Sequence, residues 1–187
     1  MTPHHHAVGR YQVRAATDAD LPGARSVMLD TFYHEFGHGY RAEWHEDVVD
    51  LAGTYLDHPR HALFVAALDD EVVATTAVRA QGPSSPPHPA WLAERYPGDS
   101  TAQLFRVYVR PDHRRCGLAR ALVSRAIRFV AETPAYRSLY LHTDTRVPGA
   151  EPFWRSVAVE VHDARDGDLM SNQTVHFEIP LRTYATP

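Results

Sequence analysis

The chain has a single cysteine and no long apolar run. Cys116 alone excludes an internal disulfide and any structural zinc site built from several cysteines. A membrane-spanning helix needs about 20 consecutive apolar residues, and no stretch approaches that length. Residues 1–10 lack the apolar middle of a signal peptide and are interpreted as a flexible start. The sequence therefore predicts a cytoplasmic protein without a membrane partner.

Long runs of basic residues are also missing. The chain carries 19 Lys and Arg against 23 Asp and Glu, so its formal net charge is -4. This balance suits a basic acceptor better than a nucleic acid, which normally binds an exposed basic stripe. The 187 residues, 44% of them hydrophobic and 22% charged, are enough for one domain with a sizeable core. We expect that domain to span residues 11–187.

Hydrophobic periodicity predicts alternating strands and helices. Strands are predicted at residues 11–16, 61–68, 71–79, 104–109, 138–143, 160–164 and 174–181. Helices are predicted from about residue 17 to the glycines at 37 and 39, and at 46–56, 117–132 and 150–157. The proline-rich segment 82–100 is interpreted as an inserted loop with one helical turn at 90–96. The pattern predicts an α/β fold with a mixed sheet.

The segment that carries most chemical information joins the predicted strand 104–109 to the helix 117–132. The first backbone N–H groups of a helix lack internal partners and lie at the positive end of its dipole. Small residues would let a phosphate approach them closely, and arginines would add positive charge. The small residues are Cys116, Gly117 and Ala119; the arginines are Arg114, Arg115 and Arg120. The turn therefore predicts a pyrophosphate site, the alternative being an ordinary turn with solvated arginines.

The pattern Arg114-x-x-Gly117-x-Ala119, after Val107-Tyr108-Val109 and before a long helix, resembles the coenzyme A signature of the GNAT superfamily of N-acetyltransferases. The order of elements over residues 11–181 resembles that fold as well, so the match covers nearly the whole chain. The resemblance implies a mostly antiparallel twisted sheet flanked by helices. It also implies acetyl-CoA as co-substrate and transfer of an acetyl or short acyl group to a primary amine.

The resemblance also implies which residues bind the coenzyme. The backbone at Val107 and Val109 would pair with the pantetheine arm as an added strand does. Phe153 and Trp154 of the late helix would lie along the other side of the coenzyme. The pyrophosphate would be held by the backbone amides and side chains of Arg114, Arg115, Cys116, Gly117, Leu118, Ala119 and Arg120.

Two positions depart from the family pattern for proton transfer. Gln103 stands where many relatives have a glutamate base, and Trp154 stands where many have a tyrosine acid. We predict His142 as the base instead, because it is expected to share one face of its strand with Tyr140 and Asp144. The alternative is a structural His142, with the amine losing its proton to solvent. Tyr108 is the second candidate catalytic residue.

A rival motif is the literal HExxH pattern at residues 34–38, which on a helix binds zinc in hydrolases. Gly37 and Gly39 argue against such a helix, and no metal is expected. In the acyltransferase interpretation this segment borders the acceptor pocket, with Tyr33, His34, Glu35 and His38 as candidate contacts. The acceptor is expected to be a small-molecule or peptide amine, and the protein a monomer or homodimer. The alternatives are a non-catalytic acetyl-CoA-binding module and, third, a zinc hydrolase.

Overall fold

The computed structural model describes residues 6–168, 171 and 173–181. The described part divides into two compact units. The first unit contains the chain up to Arg79 together with Leu104–Phe129, and the second contains Ala80–Gln103 together with the chain from Val130 onward. Strand β5 (Thr101–Val109) and helix α4 (Leu118–Glu132) each run from one unit into the other.

The first unit is built on antiparallel strands. Four of them pair in chain order: β1 (His6–Val8), β2 (Tyr11–Ala15), β3 (Ala62–Leu68) and β4 (Glu71–Ala80). The second half of β5 follows β4, and the amide of Arg110 donates to the carbonyl of Val73 at 2.9 Å. β3 and β4 form a hairpin through Asp69 and Asp70, and both residues are left-handed (φ 48° and 66°) as this two-residue turn requires. A strand thus lies within the segment expected to be a flexible start.

The early helices differ in detail from the prediction. Helix α1 (Leu21–Asp30) begins after Thr17, whose amide donates to the Asp20 carboxylate at 2.8 Å, and continues as a π-helical turn, Thr31–Glu35. The single helix predicted at 46–56 is instead α2 (Ala42–Val49) followed by a π-helical turn, Ala52–Leu56. Asp50 separates them because its carboxylate accepts the Gly53 amide at 2.9 Å.

The second unit has its own strands and core. The first three residues of β5, Thr101–Gln103, pair in parallel with β6 (Ser138–Asp144). β6 is antiparallel to β8 (Thr174–Ile179), which is antiparallel to β7 (Val159–Asp163). Helix α5 (Ala150–Arg155) precedes β7, and α3 (Ala90–Arg95) forms the predicted helical turn of the proline-rich segment. Leu92 and Tyr96 pack against Tyr140, so this segment contributes to the core.

The predicted strands and helices therefore recur with shifts of a few residues, and all pairs but one are antiparallel among those described. Within residues 6–168, 171 and 173–181, no helix is both long and apolar enough to cross a membrane.

Candidate active site

The turn before α4 has an unusual backbone. Arg115 and Gly117 are both left-handed, with φ of 60° and 80°. The first hydrogen bond of the helix runs from the Ala121 amide to the Gly117 carbonyl at 3.0 Å. The amides that precede Ala121 in the turn therefore make no i to i−4 bond within the helix. Residues 114–117 are exposed, whereas Leu118 is buried and anchors the start of α4. Concave backbone turns of this kind bind anions.

The turn also has room for a ligand. A Cβ built on Gly117 would meet nothing closer than Val8 Cγ1 at 3.9 Å. The exposed backbone and the open space therefore fit a pyrophosphate, as the sequence predicts. The guanidinium of Arg114 already has protein partners. It forms an ion pair with Glu35, and its Nε donates to the Val109 carbonyl at 3.0 Å. A bound phosphate would compete with Glu35 for this guanidinium.

Glu35 also lines a cleft of about 350 Å³ in the first unit. The cleft is bounded by Val27, Asp30, Thr31, His34, Glu35, Arg110 and Pro111. Two of the four predicted acceptor contacts, His34 and Glu35, are thus brought together. Tyr33 is 60% exposed and is not among the lining residues. His38 instead stacks on Phe32 and lies with Nδ1 2.9 Å from the Gly39 carbonyl.

The HExxH segment does not form one continuous helix. Its π-helical turn ends at Glu35, and Gly37 is left-handed (φ 70°) before His38. The two histidines therefore lack the shared helical face on which the zinc pattern depends. Within the described ranges, no group of three or more His, Cys, Asp or Glu side chains is arranged to hold a metal ion.

A buried ion pair supports the second half of β5. Arg106 has a left-handed backbone (φ 54°) in the middle of this strand. Its guanidinium contacts both carboxylate oxygens of Asp47, at 2.6 and 3.0 Å, and donates to the Trp44 carbonyl at 2.7 Å. The Tyr55 hydroxyl donates to Asp47 at 2.5 Å. Burial would raise the pKa of Asp47, but Arg106 and Tyr55 outweigh it and lower that pKa.

Sequence reasoning missed this network. An arginine among Leu104, Phe105 and Val107 was a usable signal, because a charged residue inside an apolar strand needs a partner when the strand is buried. The partner lies 59 residues away in the sequence, which no local pattern reveals.

Tyr108, the second candidate catalytic residue, lies edge-on to Phe32 and Phe36. Burial raises the pKa of its hydroxyl, although the positive charge of Arg106 opposes the shift. The hydroxyl is therefore protonated at neutral pH, and the raised pKa makes it a weaker acid than a free tyrosine.

His142, the candidate base, lies on β6 in the second unit and is exposed to solvent. Its Nδ1 is 3.4 Å from the Tyr140 hydroxyl and 3.4 Å from Gln103 Nε2. This contact confirms that Tyr140 and His142 share one face of the strand. Part of the residue is exposed, yet the protein atoms around it desolvate the ring, and this effect, reinforced by neighbouring His88, lowers the pKa of His142. The imidazole is therefore neutral at neutral pH.

His142 belongs to a cluster of four histidines that the sequence did not reveal. His176 of β8 pairs with it across the sheet, and ring centroids of His88 and His162 lie 4.9 and 5.5 Å from His176. Desolvation, followed by the neighbouring histidines, lowers the pKa of buried His176 to about 3. The alternation of residues along β6, β7 and β8 indicates which side chains share a face of each strand. It does not indicate that β8 lies between β6 and β7, and the cluster depends on that strand order.

The two aromatic residues expected beside the coenzyme differ in exposure. Trp154 is 7% exposed and packs edge-on to Phe153 at 4.8 Å. Phe153 is half-buried. Phe153 therefore presents more of its surface for ligand contact than Trp154 does.

Comparisons with known proteins agree with this fold. A family model described as the acetyltransferase (GNAT) family matches residues 28–158, more than half of the chain. No curated protein matches the chain in sequence. Among solved structures, an acetyltransferase of the GNAT family from Staphylococcus aureus is similar with a TM-score of 0.66 at 14% identity, over 91% of this chain and 99% of that one.

Two further similar structures are of acetyltransferases with named acceptors. The spermidine/spermine N-acetyltransferase of Vibrio cholerae is similar with a TM-score of 0.60 at 16% identity, over 95% of this chain and 96% of that one. A ribosomal-protein-alanine N-acetyltransferase of Escherichia coli is similar with a TM-score of 0.61 at 16% identity, over 91% of this chain and 94% of that one.

These matches define the protein as an acetyltransferase by class. More particularly, the chain belongs to the acetyltransferase (GNAT) family. The predicted fold class, an α/β arrangement with a mostly antiparallel sheet and flanking helices, is confirmed by the similar structures.

Proposed function

We propose that the chain transfers an acetyl or short acyl group from coenzyme A to a primary amine by direct attack of the amine. The observation that carries the proposal is the exposed turn with left-handed Arg115 and Gly117 at the start of the 15-residue helix α4. Its backbone amides from Arg115 to Ala119 would hold the pyrophosphate of acetyl-CoA. The Arg114 amide, which the sequence also assigns to the pyrophosphate, donates to the Pro111 carbonyl at 3.2 Å in the structure. The coenzyme supplies the activated thioester.

The remaining residues have distinct proposed roles. Backbone groups of Val107 and Val109 bind the pantetheine arm, and an N–H near Val109 donates to the thioester oxygen as negative charge develops there. Phe153 contacts the coenzyme through its ring. Glu35 is displaced from Arg114 when the pyrophosphate binds, because both anions compete for the same guanidinium.

Proton transfer is assigned to His142 and Tyr108. Gln103 cannot accept a proton, whereas neutral His142 can take one from the attacking amine. Tyr108 keeps its proton at neutral pH and is the proposed donor to the leaving thiolate. A thiol with a pKa of about 8.5 leaves readily, so we expect loss of Tyr108 to cost less than loss of His142.

The acceptor is proposed to be a small-molecule or peptide amine bound at the cleft beside His34 and Glu35. Two structural neighbours are named for spermidine/spermine and for an alanine of a ribosomal protein. A panel should therefore contain a polyamine and a peptide with an N-terminal alanine. The cleft's carboxylates, Asp30 and Glu35, are paired with Arg110 and Arg114 in the structure. The proposed release of Glu35 from Arg114 would leave its carboxylate for either amine, so charge favours neither acceptor over the other.

Coenzyme binding is tested first, by the thermal shift that acetyl-CoA causes. A ligand present at about 100 times its Kd stabilises the native state by roughly 2.7 kcal/mol. Gly117→Val should abolish the shift, because a side chain would enter the phosphate space at a left-handed position. Gly167→Val is the matched control, since Gly167 is also left-handed (φ 77°) with nothing within 4 Å of a built Cβ. A normal shift in Gly117→Val would contradict the pyrophosphate assignment.

Catalysis is tested by release of coenzyme A with each amine in the panel. The chain contains no lysine, so acetylation of its own lysine side chains cannot contribute. Cys116 is an exposed free thiol, so the release is better followed by chromatography than by a thiol reagent. Binding without release for every amine would support the non-catalytic module. Activity that is lost with EDTA and restored by zinc would support the zinc hydrolase.

A further inference from the structure

The candidate base lies at one end of a row of hydrogen-bonding side chains in the second unit. His142 Nδ1 is 3.4 Å from the Tyr140 hydroxyl, and that hydroxyl is 2.6 Å from Nδ1 of His176. Gln103 approaches the same Nδ1 of His142 at 3.4 Å. The contacts of His142 with Tyr140 and with Gln103 both involve its Nδ1, so Nε2 of His142 is the ring nitrogen left for a substrate.

The direction of the bond between Tyr140 and His176 follows from its length and chemistry. Burial, and then Tyr96, raise the pKa of Tyr140, so its hydroxyl carries one proton at neutral pH. A separation of 2.6 Å is typical of an O–H donor, whereas N–H donors usually lie about 2.9 Å from an oxygen. Tyr140 therefore donates its proton to His176, whose own hydrogen is then on Nε2. That nitrogen is a buried atom without a hydrogen-bond partner among the described residues, so the short bond to Tyr140 has to outweigh that cost.

This direction determines what Tyr140 can offer to His142. With its only proton given to His176, the phenol oxygen presents lone pairs alone, and it can only accept from Nδ1 of His142. The Gln103 amide is compatible with this arrangement. Its Oε1 is buried without a hydrogen-bond partner among the described residues, and a half-turn of the amide would bring it to Nδ1 of His142.

We propose that Tyr140 and His176 are positioning residues that hold His142 in the tautomer with hydrogen on Nδ1, which leaves the lone pair on Nε2 as the base. The catalytic part of this proposal rests on the proposed function, but the tautomer does not. In the reaction the amine N–H proton passes to Nε2 as the C–N bond forms and the C–S bond of the thioester breaks. The leaving thiolate takes its proton from Tyr108, which solvent reprotonates. The imidazolium keeps its Nδ1 hydrogen on Tyr140 and later releases the Nε2 proton to solvent.

The surroundings of His142 are suited to that release. The groups that face it are Gln103 from β5, Tyr140 on its own strand, His176 from β8 and His88 from the proline-rich segment. These contacts include no carboxylate, so none of them stabilises the imidazolium by charge, and His142 returns to its neutral form after each turnover.

The tautomer is measured directly on the wild-type protein. Long-range proton–nitrogen NMR of protein labelled with ¹⁵N-histidine distinguishes the two ring nitrogens, and His142→Gln assigns the signal. We expect hydrogen on Nδ1 of His142 and on Nε2 of His176 at neutral pH. Hydrogen on Nε2 of His142 would overturn the proposal. Because this measurement needs no activity, an inactive wild-type protein would count against the proposed function alone.

Variants then test the positioning role. His176→Leu frees the Tyr140 proton, which turns to Nδ1 of His142 and moves the hydrogen of His142 to Nε2. We expect kcat/KM to fall at least about tenfold, with the KM for acetyl-CoA unchanged. Tyr140→Phe, which keeps the ring, should lower kcat/KM less than His176→Leu does. It removes the hydroxyl that accepts from Nδ1 of His142, but it places no O–H donor against that nitrogen.

The double variant Tyr140→Phe with His176→Leu separates positioning from packing. It should recover part of the activity lost in His176→Leu, because the misdirected hydroxyl is gone. If both residues only support the sheet, the double variant will be worse than either single variant. That result, with an unchanged His142 spectrum in His176→Leu, would overturn the proposal.

Discussion

At the scale of single residues, Arg106 shows how one side chain can fix a backbone conformation. A left-handed φ of 54° is unfavourable for an arginine and persists only where the surroundings hold it. Its carbonyl accepts the Thr75 hydroxyl at 2.8 Å, and its guanidinium is held by Asp47 and the Trp44 carbonyl. These bonds fix the course of β5 just before Val107 and Val109, whose backbone is proposed to bind the coenzyme.

Removing one partner of this pair should be costly. The side chains of Arg106 and Asp47 are only 9% and 1% exposed, so Asp47→Ala leaves a buried, uncompensated guanidinium. We expect urea denaturation to show a loss of about 3–5 kcal/mol in the free energy of unfolding. Glu151→Ala, which breaks the more exposed pairs with Arg155 and Arg165, is the matched control and should cost less than about 1 kcal/mol. Equal losses in the two variants would contradict the structural role of the Arg106 pair.

At the scale of elements, the proline-rich segment, predicted as an inserted loop with one helical turn, packs that helical turn into the core. Tyr96, 2% exposed, donates its hydroxyl to Glu178 at 2.6 Å, and Leu92 is fully buried. The entry to the segment is correspondingly tight. A Cβ on Gly82 would lie 1.8 Å from the Tyr96 carbonyl oxygen, a backbone atom that cannot move away cheaply.

Gly82→Ala should therefore destabilise the second unit, by about 1–3 kcal/mol or more, because the added methyl group forces the backbone apart. Gly98→Ala in the same segment is the control, since its Cβ would meet its nearest neighbour at an ordinary 3.6 Å. Urea denaturation of the two variants measures the difference. A stable Gly82→Ala protein would show that the segment can shift independently of its helix.

The elements themselves were largely predictable from sequence, because hydrophobic periodicity reports which face of a helix or strand is buried. The strand, turn and helix around Gly117 were predicted for that reason. The break at Asp50 was not, since it depends on one carboxylate accepting the Gly53 amide. The histidine cluster was also missed, because His88, His142 and His176 meet only through strand pairings distant in sequence.

At the scale of the whole molecule, buried histidines in both units affect stability in the same direction. His45, 3% exposed in the first unit, stacks on Phe32 at 3.7 Å. Desolvation, followed by the charge of Arg106, lowers its pKa to about 4. In the second unit His176 is fully buried, and its pKa is lowered to about 3. Each is therefore neutral in the folded protein over a range in which a free histidine is charged.

The pH dependence of stability follows from this difference. An unfolded histidine titrates near pH 6.5, so below that pH the unfolded chain binds protons that folded His45 and His176 do not. The free energy of unfolding should therefore be highest above pH 7. It should fall as the pH drops from about 6.5 towards 4, by up to about 1.4 kcal/mol per pH unit for each histidine. The carboxyls whose pKa is lowered lose their contribution to stability only at more acidic pH; they are Asp20, Asp47, Asp163 and Asp166.

Urea denaturation at intervals from pH 7.5 to 4.5 measures this slope. His45→Gln and His176→Gln should each flatten it, whatever they do to stability at pH 7.5, because each removes one proton-binding difference between the two states. His34→Gln, at an exposed position on the π-helical turn, controls for loss of a histidine as such. If the wild-type curve is flat between pH 6.5 and 4.5, or if neither buried-site variant reduces its slope, the two histidines are not held neutral by the fold.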